Sequence, residues 1–113
     1  MQFLYKICST AEWAGAGMTG VFTGSPIDHA DGVIHLSTAR QVRETARRHF
    51  ARREDLILVA LPGESLKGLK WEPARGGGLF PHVYGAIPVS AARWVRPLPL
   101  KDGAHVFPAE IPQ

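Results

Sequence analysis

His35 and Ser37 stand two residues apart in the run Gly32-Val33-Ile34-His35-Leu36-Ser37. On a strand, that spacing puts both side chains on one face. Thr38 follows at once, and Gln41 three residues later completes a capping-box pattern at the start of a helix. Unpaired N–H groups at such a start, with the Ser37 and Thr38 hydroxyls beside them, suit an anion. The same residues also read as a satisfied core histidine and an ordinary helix cap. A second group is the loop Trp71-Glu72-Pro73-Ala74-Arg75-Gly76-Gly77. Arg75 has the planar fork that grips phosphate or carboxylate through two parallel bonds, and Gly76 and Gly77 let backbone amides approach a ligand closely. Glu72 is the carboxylate placed to orient a hydroxyl or stabilise a sugar cation, and a flexible hairpin with a surface ion pair is the plainer alternative. Third, His82 and Tyr84 alternate in Phe80-Pro81-His82-Val83-Tyr84, with Trp71 as a flat apolar wall. Aromatic core packing explains Trp71 and Phe80 equally well.

These residues need elements to position them. Residues 3–8 read as a first strand, with Lys6 among apolar neighbours. Ser9 and Glu12 have capping-box spacing, so a short helix to about Met18 follows, weakened by Gly15 and Gly17. Residues 19–31 hold Gly20, Gly24 and Pro26 and read as a long loop. Residues 32–37 read as one buried strand running into a helix from Thr38. Ala39, Val42, Ala46 and His49 or Phe50 form that helix's apolar stripe. Residues 56–61 are a continuous apolar run, expected as a central strand. Short strands are expected over 69–72, 79–84 and 93–98, the second pushed to an edge or bulge by Pro81. Residues 88–91 suit one helical turn, and the tail with Pro108 and Pro112 reads as extended.

At 113 residues, 45% of them apolar, the chain suits one domain with one core. Cys8 is the single cysteine, which excludes an internal disulfide and points to a reducing cytoplasm. The opening residues lack a signal-peptide pattern, and no run reaches the ~20 apolar residues of a membrane helix. The five histidines show no tight metal spacing, so no metal is expected. Asp28-His29-Ala30-Asp31 reads as a polar loop. The net charge is +3, and Arg40, Arg43, Arg47, Arg48, Arg52 and Arg53 fall within fourteen residues. Phe50 is the single Phe, Tyr or Trp among them, too few to stack bases, so a solvated helix face is expected and nucleic acid is not.

Along almost its whole length the sequence resembles the bacterial domain-of-unknown-function family 952. The resemblance rests on Tyr5-Lys6-Ile7, Trp13, Gly24-Ser25-Pro26-Ile27-Asp28, the block from Asp31 to Ala39, Lys70-Trp71-Glu72, Arg75-Gly76-Gly77, Leu79-Phe80-Pro81-His82 and Tyr84. It implies an α+β domain over residues 1–113 of the ADP-ribosyltransferase-like group, with mixed, mostly antiparallel sheets and two or more short helices. More distantly, Leu4-Tyr5-Lys6-Ile7 and Val33-Ile34-His35-Leu36-Ser37 are similar in order and spacing to NAD-dependent RNA 2'-phosphotransferases. Lys6 stands where those enzymes carry a cofactor-holding histidine, and Asp31 where they carry an arginine.

The resemblance implies binding of NAD, ADP-ribose or a related phosphorylated nucleotide in a cleft near His35 and Arg75. His35 and Glu72 are the candidate catalytic residues. Tyr5, Lys6, Ser37, Thr38, Trp71, Arg75, Gly76, Gly77, His82 and Tyr84 are the candidate ligand contacts. An enzyme of this kind would break the bond from ribose to nicotinamide, with NAD as cofactor or substrate. The alternatives are a catalytically silent binding or protein-interaction module, and RNA binding by the arginine-rich helix.

Overall fold

The run Leu56–Pro62 is apolar at every position and becomes the strand on which everything else is layered. In the computed structural model, which describes residues 1–74 and 77–113, the chain runs in the order β1 (Phe3–Ser9), α1 (Thr10–Thr19), β2 (Val21–Phe22), α2 (Pro26–Asp31), β3 (Ile34–His35), β4 (Ser37–Thr38) and α3 (Val42–His49). It continues through β5 (Leu56–Pro62), β6 (Leu69–Pro73), β7 (Leu79–Val83), β8 (Ile87–Pro88), β9 (Trp94–Pro97), β10 (Leu100–Lys101) and β11 (Ala104–His105). One sheet has the order β4-β1-β5-β9 and a second the order β3-β7-β6, with every pairing antiparallel. The result is the expected α+β domain with mostly antiparallel sheets and short helices.

Alternation along β1 and β5 divides the core in two. Leu4 and Cys8 pack with Val59, Leu61, Ile34, Leu36 and Val83 on the side that faces the second sheet. Tyr5 and Ile7 pack with Leu58, Ala60, Val42 and Ala46 on the side covered by α3 and the C-terminal tail. Lys6 lies between Tyr5 and Ile7 in sequence, so it points to the first of these sides. It is 3% exposed there, in a layer of apolar residues.

Several sequence expectations are corrected. Residues 19–31 are not one long loop: Val21–Phe22 pairs with Ile87–Pro88, and Pro26–Asp31 is helical. Ser25 and Asp28 bracket that helix start as a capping box with Pro26 at its first position, a signal hidden by the surrounding glycines. The expected strand over 32–37 is broken. Ile34–His35 pairs with β7, whereas Ser37–Thr38 pairs with β1 in the other sheet, so Leu36 is where the chain changes sheets. Helix α3 begins at Val42 rather than Thr38. Thr38 and Gln41 exchange side-chain-to-backbone bonds of 3.0 and 3.2 Å, as a capping box would, but one turn ahead of the helix.

Strand β7 is the middle strand of its sheet despite Pro81. The Pro81 carbonyl accepts from the Leu36 N–H at 3.0 Å, on the side where β3 has just ended, so the donor that proline lacks falls outside the ladder. Residues 93–98 do not form the last strand, because β10 and β11 make a further hairpin in the tail. Beyond it, Phe107 and Ile111 pack against the cluster around Tyr5.

Candidate functional site

The centre of the candidate site is a buried carboxylate, Asp28 on α2, whose side chain is 1% exposed. Burying a carboxylate is unfavourable unless its oxygens are satisfied, and here both are. Oδ2 accepts from Lys6 Nζ at 2.7 Å and from the Ser25 N–H at 2.8 Å. Oδ1 lies 2.6 Å from His35 Nδ1 and accepts the His35 N–H at 3.2 Å. Burial alone would push the Asp28 carboxyl up. The His35 hydrogen bond, with the charge and hydrogen bond of Lys6, outweighs it and holds the group well below the usual carboxylate range. Lys6 also donates to the His35 carbonyl at 3.1 Å, so one cation ties the first sheet to the second.

His35 then faces outward. Its Nε2 lies 3.0 Å from Asp31 Oδ2 at the end of α2. The strand register places His35 opposite His82, and their rings meet edge to face with centroids 5.2 Å apart. His82 opposes Lys70 on its other side, so alternation sets His35, His82, Lys70, Glu72 and Phe80 on one face of the second sheet. On that face Glu72 Oε1 lies 2.7 Å from His82 Nδ1, and the Tyr84 hydroxyl donates to Glu72 at 2.7 Å. The His82 and Tyr84 hydrogen bonds hold the Glu72 carboxyl below its ordinary value, and the same bond raises the Tyr84 hydroxyl. Lys70 lies 5.0 Å from the centre of the Tyr84 ring, within cation–π reach. Two imidazoles, each held at Nδ1 by its own carboxylate, are thus presented side by side. Such a pair can donate to anions, exchange protons or orient hydroxyls.

The residues nominated from sequence divide sharply. His35, Glu72, His82 and Tyr84 come together. Lys6 joins them only through Asp28 and is closed off from ligand. Tyr5 is on the opposite side of the first sheet, beneath the tail, where its hydroxyl donates to the Pro112 carbonyl and burial pushes it up to about 12. Ser37, paired opposite Tyr5, is buried on that side too, 2.8 Å from the Thr45 hydroxyl on α3, and so does not share the His35 face. Thr38 is occupied by Gln41. Trp71 pairs with Pro81 and by alternation lies on the other face of β6 from Glu72. Arg75 and Gly76 lie outside the described residues, and Gly77 is exposed beyond the end of β6. Asp28 and Asp31 were read as loop residues and missed. The signals were Ser25-Pro26-Ile27-Asp28, a helix start, and Lys6, a cation in an apolar strand that needed a buried partner.

A depression of about 270 Å³ near Asp28 is lined by Thr23, His29, Ile34 and Ala86, but neither His35 nor His82 lines it. The histidine pair is an open shelf. Among the described residues no group of three or more His, Cys, Asp or Glu side chains is arranged to hold a metal, and no helix is long and apolar enough to cross a membrane. All six clustered arginines are exposed. Glu44 bridges Arg47 and Arg48, and Arg53 pairs with Asp55. Replacing Arg47 and Arg48 by glutamine is expected to change small-molecule affinity by less than about twofold, since exposed charges contribute little. A tenfold loss in a calorimetric titration would move the binding site to α3.

Fold and site together define a small α+β protein with a carboxylate-braced pair of histidines on its second sheet. Residues 7–95 match the family described as protein of unknown function DUF952, and the chain belongs to that family. The crystal structure of protein CC0527 from Caulobacter crescentus is similar, at 44% identity and a TM-score of 0.87 over 92% of this chain and 93% of that one. The solution structure of CC0527 is similar at 43% identity and a TM-score of 0.82, over 93% of this chain and 91% of that one. No functionally curated protein matches.

Proposed function

We propose that the chain binds a phosphorylated nucleotide of the NAD or ADP-ribose kind on the face that carries His35, His82, Glu72 and Tyr84. The observation that supports this most is the histidine pair itself: two imidazoles with centroids 5.2 Å apart, each braced at Nδ1 by a carboxylate. Their Nε2 edges suit phosphate oxygens, and Lys70 adds a cation beside them. Glu72 acts here as a positioning residue, because His82 and Tyr84 occupy it.

Binding without turnover is favoured by the state of Lys6. The resemblance sets it in the place of a cofactor-holding histidine, yet it is 3% exposed and spent on Asp28. Chemical-shift titration of isotopically labelled protein with NAD, ADP-ribose and a short RNA tests the proposal. NAD or ADP-ribose should move the ring signals of His35, His82 and Tyr84, and RNA should not. No response to either nucleotide, or a response to RNA confined to α3, would overturn it.

A further inference from the structure

Asp31 is an odd neighbour for an anion-binding histidine. It sits on Nε2 of His35 at 3.0 Å while its own side chain is 52% exposed. The other ring nitrogen is already bound to Asp28, whose charge Lys6 offsets. Both ring nitrogens thus face carboxylate oxygens at hydrogen-bond distance, an arrangement in which each is satisfied by donating. One of the two carboxylates is buried with every oxygen committed. The other is a solvated side chain at the end of a six-residue helix, held by this single contact among the described residues.

We propose that the Asp31 carboxylate is a stand-in for the ligand's phosphate, which on binding displaces it from His35 Nε2 and takes its place. This deepens the nucleotide reading above and rests on it for the identity of the whole ligand, though not for the phosphate. The exchange is physically reasonable because the two anions are unequal. A carboxylate tethered to α2 satisfies His35 alone. A phosphate at the same point has further oxygens to offer His82, whose Nε2 has no partner among the described residues and whose ring lies against that of His35. Charge-assisted bonds to two imidazoles exceed one. Releasing Asp31 costs no more than the one bond it makes, since it returns to water from a half-exposed position. Asp31 thereby keeps His35 Nε2 paired when no ligand is bound and sets a threshold that weak anions do not pass.

A tethered competitor acts at an effective concentration on the order of millimolar, so its removal should be visible with the simplest probe. Inorganic phosphate and ADP-ribose are titrated into wild type, Asp31→Asn, Asp31→Asn/His35→Gln and Glu44→Gln, with the imidazole signals as readout. Asp31→Asn should bind inorganic phosphate about tenfold more tightly than wild type, or reveal binding where wild type shows none. The gain should vanish in the double variant. Glu44→Gln removes the same charge from α3, on the other side of the first sheet, and should give no gain.

Unchanged or weaker phosphate binding in Asp31→Asn would overturn the proposal. So would a gain that survives loss of His35 or is matched by Glu44→Gln, since either would make it a general charge effect. If phosphate gains affinity through His35 but no nucleotide binds any variant, the anion site stands and the nucleotide reading falls.

Discussion

Replacing Asp28 by alanine is expected to destabilise the protein by about 3–5 kcal/mol, the range seen when one partner of a buried ion pair is removed. The loss would strand Lys6, 3% exposed among apolar side chains, and free two backbone N–H groups at Ser25 and His35. A double change, Lys6→Met with Asp28→Leu, should recover much of the loss, because no uncompensated charge then remains in the core. Urea denaturation of the single and double variants checks both values, and a cost below about 1 kcal/mol for Asp28→Ala would contradict the assignment. The pH dependence follows with a definite sign. A carboxyl held low in the folded state contributes stability that is complete above the ordinary carboxylate range and lost as pH falls below it. The urea midpoint should therefore decline on acidification from about pH 5, and the Asp28→Ala variant should show a shallower decline.

Gly68→Ala is expected to be the most damaging single-methyl change. Gly68 has φ +73°, and a Cβ there would lie 2.3 Å from the Tyr84 carbonyl oxygen, a backbone atom that cannot rotate away. The Tyr84 N–H already donates to the Gly68 carbonyl at 2.9 Å, so the two segments are held back to back. Left-handed backbone costs a residue with a Cβ about 1–2 kcal/mol, and overpacking adds roughly 1–3 kcal/mol. Gly77→Ala is the matched control, with φ +96° and open space around the added methyl. It should show the conformational cost alone. Calorimetric melting of the two variants separates the effects. Equal midpoints would mean that the Tyr84 contact is not what requires glycine at position 68.

How much of this was legible in the sequence depended on whether a signal was local. The capping boxes at Ser9 and Glu12, the apolar run of β5 and the Val42–Ala46 stripe of α3 follow from nearest neighbours, and each is where its pattern put it. The break at Leu36 was illegible, because six residues in a row satisfy a strand pattern whether or not they stay in one sheet. That single change moved Ser37 to the far side, opposite Tyr5, and left His35 on the near one. Half of the site was found through alternation, in His82 and Tyr84, and through Glu72 in the adjoining strand. Asp28 and Asp31 were passed over because acidic residues among glycines look like solvated loop. What marks Asp28 as structural is a partner 22 positions away, and no local pattern contains it.

The crossing at Leu36 also decides how the molecule comes apart. At that crossing one residue of backbone passes between the sheets, and beside it runs the side-chain tie from Lys6 through Asp28 to His35. Thermal breathing that opens this crossing is expected to break the tie and disturb the histidine pair while the β1–β5 pairing holds. A ligand held by His35 on β3 and His82 on β7 would brace the edge of the second sheet beside this crossing. Its presence should register as slower amide exchange at Leu36 and Val83, the core residues that adjoin His35 and His82 in the chain.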